Sequence, residues 1–461
     1  MSPERSQYKS DSRRIIFGER RCSEKMQRLC RRTLPTRFLP SPLCSRVLHG
    51  CVLLATFLLP GGAPTQTLAR PGWAGSGMTV ERWWAHAVVC EVKPDSLDSG
   101  DPAEGGSALH RLRSRLEDLQ TLGVDAVLLR DLESETRSKQ IKGNNLSDGV
   151  VQIDERYGTL EQFDALVSDA VRHGVRVLVE LRPGAHGADL TDDERFWLNR
   201  GVSGLALRED DPADLRAVRG VLRGYVGERV LIAAKGQDAE AARTGHDGPP
   251  HYAVDRGPED VKREAVRGDQ PNLGLLTLPP FLKGAAAMRN TMERAGAMGN
   301  GRAPIPLLSL EGSSSEIASS RVLAAVLLGS GGAALLRADD LDLAHANSSS
   351  APSSLFSWYR QWSGLHRGNT AMRSGEEILL DHDAEGVLVW VRQTHGGVPL
   401  VVICNVSDKP KRLSLVNDLQ RLRLRGSFLR TIARSDNGMG AMPLREIVLP
   451  AFGVYAGELS R

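Results

Sequence analysis

Apolar residues along most of the chain follow two alternating patterns, one of short continuous runs and one of helical spacing. Short runs predict buried strands, and apolar positions three or four residues apart predict helices that cover them. The first unit combines a strand at 87–92, a helix with apolar positions from 109 to 122, and a strand at 124–129. Further strands are predicted at 175–181, 201–208, 230–234, 305–310 and 333–336, and helices at 159–173, 196–200, 215–226, 317–328 and 353–366.

This rhythm of strand and helix gives about eight units over roughly 280 residues, which is the size of a (β/α)8 barrel. The sequence therefore predicts an α/β fold with a TIM barrel over residues 83–375. From residue 376 the pattern changes to short alternating strands without helix-length segments between them, at 387–392, 399–405, 411–415, 427–431 and 445–449. Residues 376–461 are therefore predicted to form a small antiparallel β-sandwich.

The segments before the barrel differ from it in charge and hydropathy. Residues 1–46 contain twelve Lys/Arg and four Asp/Glu, a charge of +8, whereas the whole chain carries +3. They lack the aromatic interleaving of a nucleic-acid module, so we predict a disordered cytosolic segment and no nucleic-acid partner. An apolar segment follows at 47–63, and 64–82 is predicted to be a linker.

The apolar segment 47–63 is shorter than the roughly 20 residues of a membrane-spanning helix. An uncleaved signal anchor, a cleaved signal peptide and a degraded span all remain open, and each exports the residues that follow. The positive flank would keep the N-terminus in the cytosol and give a type II orientation. Three N-glycosylation acceptor sequons agree with export, and their asparagines are Asn145, Asn347 and Asn405.

Few side chains of the chain suggest metal or redox chemistry. Cys90 and Cys404 lie in strand-like runs and are predicted to be buried free thiols. No histidines stand at metal-ligand spacing, so neither a metal nor a cofactor is predicted. Arg208 follows a buried strand and would lie at the carboxyl end of the barrel, where such folds carry their chemistry. Glu180 is expected to pair with Arg182 or Arg208, and Glu311 is an isolated carboxylate.

Several segments resemble the alpha-amylase family of glycoside hydrolases. Residues 151–166 (VQIDERYGTLEQFDAL) resemble the segment before the third barrel strand of that family, and 175–181 and 201–208 resemble its third and fourth strands. Residues 327–341 resemble its segment near the eighth strand, and the resemblance extends over 83–459. It implies a barrel with a terminal β-sandwich and a catalytic pair of carboxylates.

The heavy chains of heteromeric amino-acid transporters are a branch of this family that the sequence resembles more closely. Arg82-Trp83-Trp84, the basic head and the single apolar segment are similar to those chains. The stretch from Glu180 to Phe196 is too short for the domain that the family's enzymes insert after the third strand. The resemblance therefore implies a barrel without that inserted domain.

The family's pattern implies three site positions in this chain. The arginine position of the fourth strand is Ala206, the nucleophile position is Arg208, and the acid/base position after the fifth strand is Lys235. Arginine stays protonated and cannot attack an anomeric carbon. These degenerate positions lead to the expectation that the chain is not an enzyme.

The expected function is that of a non-catalytic heavy subunit, which brings an amino-acid transporter light chain to the plasma membrane and stabilises it there. Residues 72–82 contain no cysteine, so the association is expected to be non-covalent. The alternative is an alpha-glucosidase-like hydrolase of the same fold, and a third possibility is a secreted scaffold protein.

Overall fold

The computed structural model describes residues 82–96, 106–133, 151–181, 187–208, 211–234, 271–280, 284–298, 304–310, 317–341, 354–380, 385–436 and 438–461. The predicted head 1–46, the apolar segment 47–63 and the linker up to residue 81 lie outside these ranges. Within them, no helix is both long and apolar enough to cross a membrane. The predicted domain boundaries remain predictions.

Eight parallel strands close into a barrel in chain order, β1 to β8. The barrel confirms the predicted fold class. The strands are β1 Val88–Val92, β2 Ala126–Leu129, β3 Arg176–Glu180, β4 Gly204–Leu207, β5 Val230–Ala234, β6 Leu273–Leu278, β7 Ile305–Leu310 and β8 Ala333–Arg337.

Helices connect and cover the strands, as the crossover of parallel strands requires. They are α1 Ala108–Ser114, α2 Leu116–Leu122, α3 Leu160–Arg172, α4 Gly187–Asn199, α5 Pro212–Leu222, α6 Gly284–Met298, α7 Ile317–Gly329, α8 Leu355–Gly368 and α9 Thr370–Ser374. A capping box starts α3, because the Thr159 hydroxyl accepts from the Gln162 backbone while the Gln162 side chain accepts from the Thr159 backbone.

The predicted helix over 109–122 was wrong in its continuity. It breaks at Arg115, whose backbone (φ −99°, ψ 4°) leaves the helical region and separates α1 from α2. The apolar stripe continues across the break because Leu112, Leu116 and Leu119 all remain buried. The apolar spacing of the side chains therefore continues across the break, and for this reason the spacing could not predict the break.

The barrel interior is filled by every second residue of each strand, in layers. Its apolar layers include Val89, Ala126, Leu178 and Ala206, and Trp84 lies in the same cluster. Trp84 belongs to a 3-10 helix at Trp83–His86 that precedes β1, so it closes the amino-terminal end of the barrel. The Arg176 guanidinium stacks 4.2 Å from the centre of the Trp83 ring at that same end.

The C-terminal region forms a six-stranded antiparallel sheet in the order β14-β13-β16-β11-β10-β9 and a two-stranded sheet of β12 and β15. Its strands are β9 Glu376–Leu379, β10 Val387–Gln393, β11 Leu400–Asn405, β12 Lys411–Leu413, β13 Phe428–Arg434, β14 Met442–Pro443, β15 Ile447–Leu449 and β16 Val454–Ser460. The expectation that this region contains no helix was wrong, because α10 Val416–Arg421 stands between β12 and β13.

Candidate active site at the carboxyl end of the barrel

A ring of polar side chains forms the last interior layer at the carboxyl end of the barrel. The alternation that points Val89, Leu128 and Leu178 inward also points inward the residues two positions further on. Those residues are Glu91, Arg130 and Glu180. On β4, the inward-facing Ala206 is likewise followed two positions later by Arg208. Inside the barrel, a layer of charged side chains therefore lies directly above a layer of apolar side chains.

Ion pairs join these side chains into one chain of alternating charge. Arg130 Nε lies 2.6 Å from Glu91 Oε2, and Arg130 Nη1 donates to Glu180 Oε1 over 2.7 Å. Arg208 Nη2 donates to Glu180 Oε2 over 2.7 Å and to Asp131 Oδ1 over 2.8 Å. Three carboxylates and two guanidinium groups therefore form a single network across β1, β2, β3 and β4.

The network runs from the buried interior to the rim. The Glu180 side chain is 1% exposed, whereas those of Arg208 and Asp131 are 45% and 44% exposed. Hydrogen bonding to Glu180 raises the pKa of Arg208 above its ordinary value, against the effect of partial burial. Arg208 is therefore a permanent cation at this rim.

Other groups support the layer from the neighbouring strands. The Tyr157 hydroxyl shares its one proton between the carbonyls of Val92 and Arg130, at 2.9 and 2.6 Å, which ties the end of β1 to the end of β2. Burial raises the pKa of that hydroxyl, so it remains a donor. At the end of β8, Arg337 donates to both carboxylate oxygens of Asp340.

Two of the predicted site residues, Ala206 and Arg208, lie within the described part of the structure. Ala206 lies in the barrel interior, 4% exposed, and its carbonyl accepts from the backbone of Leu181. Arg208 lies at the rim and pairs with Glu180 as predicted. The remaining members of the predicted set, Lys235, Arg182 and Glu311, lie outside the described residues.

Arg130 and Asp131 are the residues that sequence reasoning missed. They follow the second strand directly, and Arg130 stands two residues after the inward-facing Leu128. The period of two would have found Glu91 inside the first predicted strand, and Arg130 when continued one residue beyond the second. Asp131 has a positive φ of 53°, which no apolar pattern indicates.

The remaining candidate residues lie away from the barrel mouth. Cys90 and Cys404 are buried free thiols, as predicted, and burial raises the pKa of each. Asn405 is fully buried, and its Nδ2 donates to the carbonyls of Lys409 and Pro450, both at 2.7 Å. A glycan on that nitrogen would require this turn to open, so the geometry weighs against Asn405. Asn145 and Asn347 lie outside the described residues.

His, Cys, Asp and Glu side chains are the usual protein ligands of metal ions. Among the described residues, no group of three or more His, Cys, Asp or Glu side chains could hold a metal ion.

Comparison with solved structures identifies the architecture. Isomaltulose synthase of Klebsiella sp. LX3 superposes with a TM-score of 0.58 at 12% identity, over 82% of this chain and 100% of that one. The alpha-glucosyl transfer enzyme XgtA gives a TM-score of 0.57 at 16% identity, over 82% and 99%. The fold is that of the alpha-amylase family.

Sequence relatives match shorter stretches. The amino acid transporter heavy chain SLC3A2 of Oryctolagus cuniculus is 25% identical over 179 residues, 34% of this chain and 32% of that protein. A probable alpha-glucosidase of Rhizobium meliloti is 33% identical over 99 residues, 22% and 17% of the two chains. Maltase A2 of Drosophila melanogaster is 30% identical over 128 residues, 28% and 20%. The matches therefore span no more than about a third of these relatives, and no protein-family model matches the chain.

The expectation that the chain is not an enzyme is corrected by these comparisons. Relatives named as alpha-glucosidase and maltase match the chain, and they point to an enzyme. The expectation rested on Arg208 and Lys235 at two positions of the family pattern. It overlooked Asp131, a second carboxylate at the barrel mouth that Arg208 joins to Glu180.

Proposed function

We propose that the chain is an alpha-glucosidase-like glycoside hydrolase that acts at the carboxyl end of its alpha-amylase-like barrel. One observation carries the proposal, namely that Arg208 Nη2 holds Asp131 Oδ1 at 2.8 Å and Glu180 Oε2 at 2.7 Å. The distance between Asp131 Oδ1 and Glu180 Oε2 therefore cannot exceed the sum of these two hydrogen-bond lengths. Retaining glycosidases place their two carboxyl groups about 5–5.5 Å apart.

The exposure of the two carboxylates suggests different roles. Asp131, half exposed at the rim, is the candidate nucleophile because a sugar can reach it. Glu180, buried beneath Arg208, is the second carboxyl group of the pair and the candidate proton donor for the leaving oxygen. The charge of Arg208 opposes an oxocarbenium ion, and its ion pairs with Asp131 and Glu180 offset that charge.

Hydrolysis of p-nitrophenyl alpha-glucoside and of maltose by the purified chain tests the proposal. Asp131→Asn keeps the size of the side chain and removes the nucleophilic charge, so kcat should fall at least about a hundredfold. Glu228→Gln, an exposed change beyond the opposite end of the barrel, is the matched control. Absence of hydrolysis by the parent chain, or equal rates for Asp131→Asn and the control, would refute the proposal.

The match to the transporter heavy chain favours a second function. It spans 179 residues, more than the glucosidase and maltase matches described above. In this second proposal the chain is a plasma-membrane heavy subunit, in type II orientation, that associates non-covalently with an amino-acid transporter light chain. Co-expression with such a light chain should raise its surface level and allow both to be purified together. A light chain whose surface level and purification are independent of this chain would exclude the second function.

A further inference from the structure

Exposed arginines follow one another closely in the C-terminal region, far along the chain from the barrel mouth. Residues 421–425 alternate Arg and Leu, and the arginines are exposed. Leu422 and Leu424 are half-buried against the core of the C-terminal sheets. The alternation therefore presents Arg421, Arg423 and Arg425 to solvent.

The backbone at this point adopts a conformation that glycine favours. Arg423 has φ 60°, and its N–H donates to the Gln420 carbonyl while Leu424 N–H donates to Leu419. These two bonds form a Schellman motif that ends α10, in which the left-handed residue is usually glycine because a Cβ is strained there. An arginine at this position costs backbone energy, and strain of this kind is often tied to function.

These three arginines lie within five residues at the end of α10, and we call Arg421, Arg423 and Arg425 the arginine ridge.

Little negative charge compensates the ridge. Within the described part of the chain, Arg423 and Arg425 form no ion pair, and Arg421 lies 3.7 Å from Asp418 with its side chain 76% exposed. The sequence contains no acidic residue between Asp418 and Asp436. Residues 385–461 carry eleven Lys/Arg and six Asp/Glu. The ridge is therefore a local cationic surface.

We propose that the arginine ridge binds a linear sulfated polysaccharide. Guanidinium groups form paired hydrogen bonds with the oxygens of oxoanions, and a row of them suits a polymer with repeated sulfates. Single-stranded nucleic acid would need exposed aromatic rings for stacking, whereas Phe428 beside the ridge is half-buried. A bilayer would need outward apolar side chains, whereas Leu422 and Leu424 pack on the core. The site is independent of the proposed hydrolase site.

Binding of the full chain to immobilised heparin tests the proposal, with the variant pair Arg423→Gly and Arg425→Gln. Arg423→Gly removes a cation and relieves the left-handed backbone, so the thermal midpoint should not fall. Loss of charged hydrogen bonds should weaken heparin binding about tenfold or more at physiological salt. Arg294→Gln with Arg360→Gln, two exposed changes on helices of the barrel, is the charge-matched control and should bind as the parent does.

Competing ligands separate the sulfated polysaccharide from other polyanions. De-sulfated heparin and hyaluronan, which are acidic but carry no sulfate, should compete at least about tenfold less well than heparin. The proposal is overturned if the ridge variant and the control elute at the same salt concentration. It is equally overturned if single-stranded DNA or phosphatidylserine vesicles bind through the ridge more tightly than heparin.

Discussion

His366 is a single buried side chain whose protonation opposes folding. It is fully buried on α8, and its Nδ1 lies 2.8 Å from the Leu328 carbonyl. Burial lowers the pKa of His366 from 6.5 to about 4, and it outweighs the hydrogen bond to the Leu328 carbonyl, which raises that pKa. Because the folded pKa lies below the unfolded one, the fold is fully stable above pH 6.5 and loses stability as the pH falls toward 4.

We expect the free energy of unfolding to decrease by up to about 3 kcal/mol between pH 7 and pH 4 through this one group. Urea unfolding at several pH values measures that decrease. His366→Gln cannot be protonated, so its profile should be flatter over this interval than the parent's. The same slope in both proteins would show that His366 does not titrate during unfolding.

Glu194 has the opposite dependence. It is buried on α4, neither carboxylate oxygen has a hydrogen-bond partner in the described structure, and burial raises its pKa from 4.5 to about 8. A raised folded pKa contributes stability below pH 4.5 and loses it as the pH rises to 8. Glu194→Gln removes the buried charge and should raise the free energy of unfolding by about 2–4 kcal/mol at pH 8, with little effect at pH 4.5.

Guanidinium unfolding of Glu194→Gln at both pH values decides this prediction. Glu155→Gln replaces an exposed carboxylate before α3 and serves as the control. A stabilisation that is equal at pH 4.5 and pH 8 would assign the effect to packing rather than to the charge.

At the scale of elements, the barrel depends on close approach of two strands at Gly204. A Cβ built there would meet the Val230 carbonyl oxygen at 2.4 Å and the Val230 Cβ at 3.0 Å. Because Gly204 pairs with Val230 in the β4–β5 ladder, Gly204→Ala must push these strands apart. We expect it to lower the free energy of unfolding by about 2–4 kcal/mol.

The matched substitution is Gly364→Ala on α8. No atom lies within 4 Å of the added Cβ, and the residue is exposed in a helix interior. Alanine should stabilise the helix there by about 0.5–1 kcal/mol. Thermal unfolding of both variants compares the two sites directly. Equal effects of the two alanines on stability would mean that the close approach of β4 and β5 at Gly204 does not limit which side chain can stand there.

The same elements show what the sequence could and could not predict. Seven of the eight barrel strands were predicted because each is a continuous apolar run, and β7 was found with its exact bounds. β6 was missed because Gly274 and Thr277 interrupt its run of apolar residues. α6 was missed because its many small residues weaken the apolar face of the helix. The site was half predictable: alternation implies Arg208 and Glu180, whereas the approach of Asp131 depends on a left-handed turn.

At the scale of the molecule, the barrel and the C-terminal sheet share one hydrophobic core. Leu388, Trp390 and Val402 belong to the same buried cluster as the barrel helices. The Trp390 indole donates to the Gly329 carbonyl at the end of α7 over 3.0 Å. Neither part buries its apolar surface alone, so the two should unfold together.

A buried ion pair of the sheet lies at the same junction and makes this cooperativity testable. Arg392 on β10 lies 3.1 Å from Glu377 on β9, and the side chains are 3% and 8% exposed. Glu377 also accepts from the backbone of Gly331, before β8, and Arg392 donates to the Met372 carbonyl on α9.

Arg392→Met leaves the Glu377 carboxylate buried without its cation, so stability should fall by about 3–5 kcal/mol. Replacing both partners by apolar residues should recover much of that loss. If barrel and sheet form one cooperative unit, calorimetry will show a single transition that shifts as a whole in Arg392→Met, whereas independent units would split into two transitions.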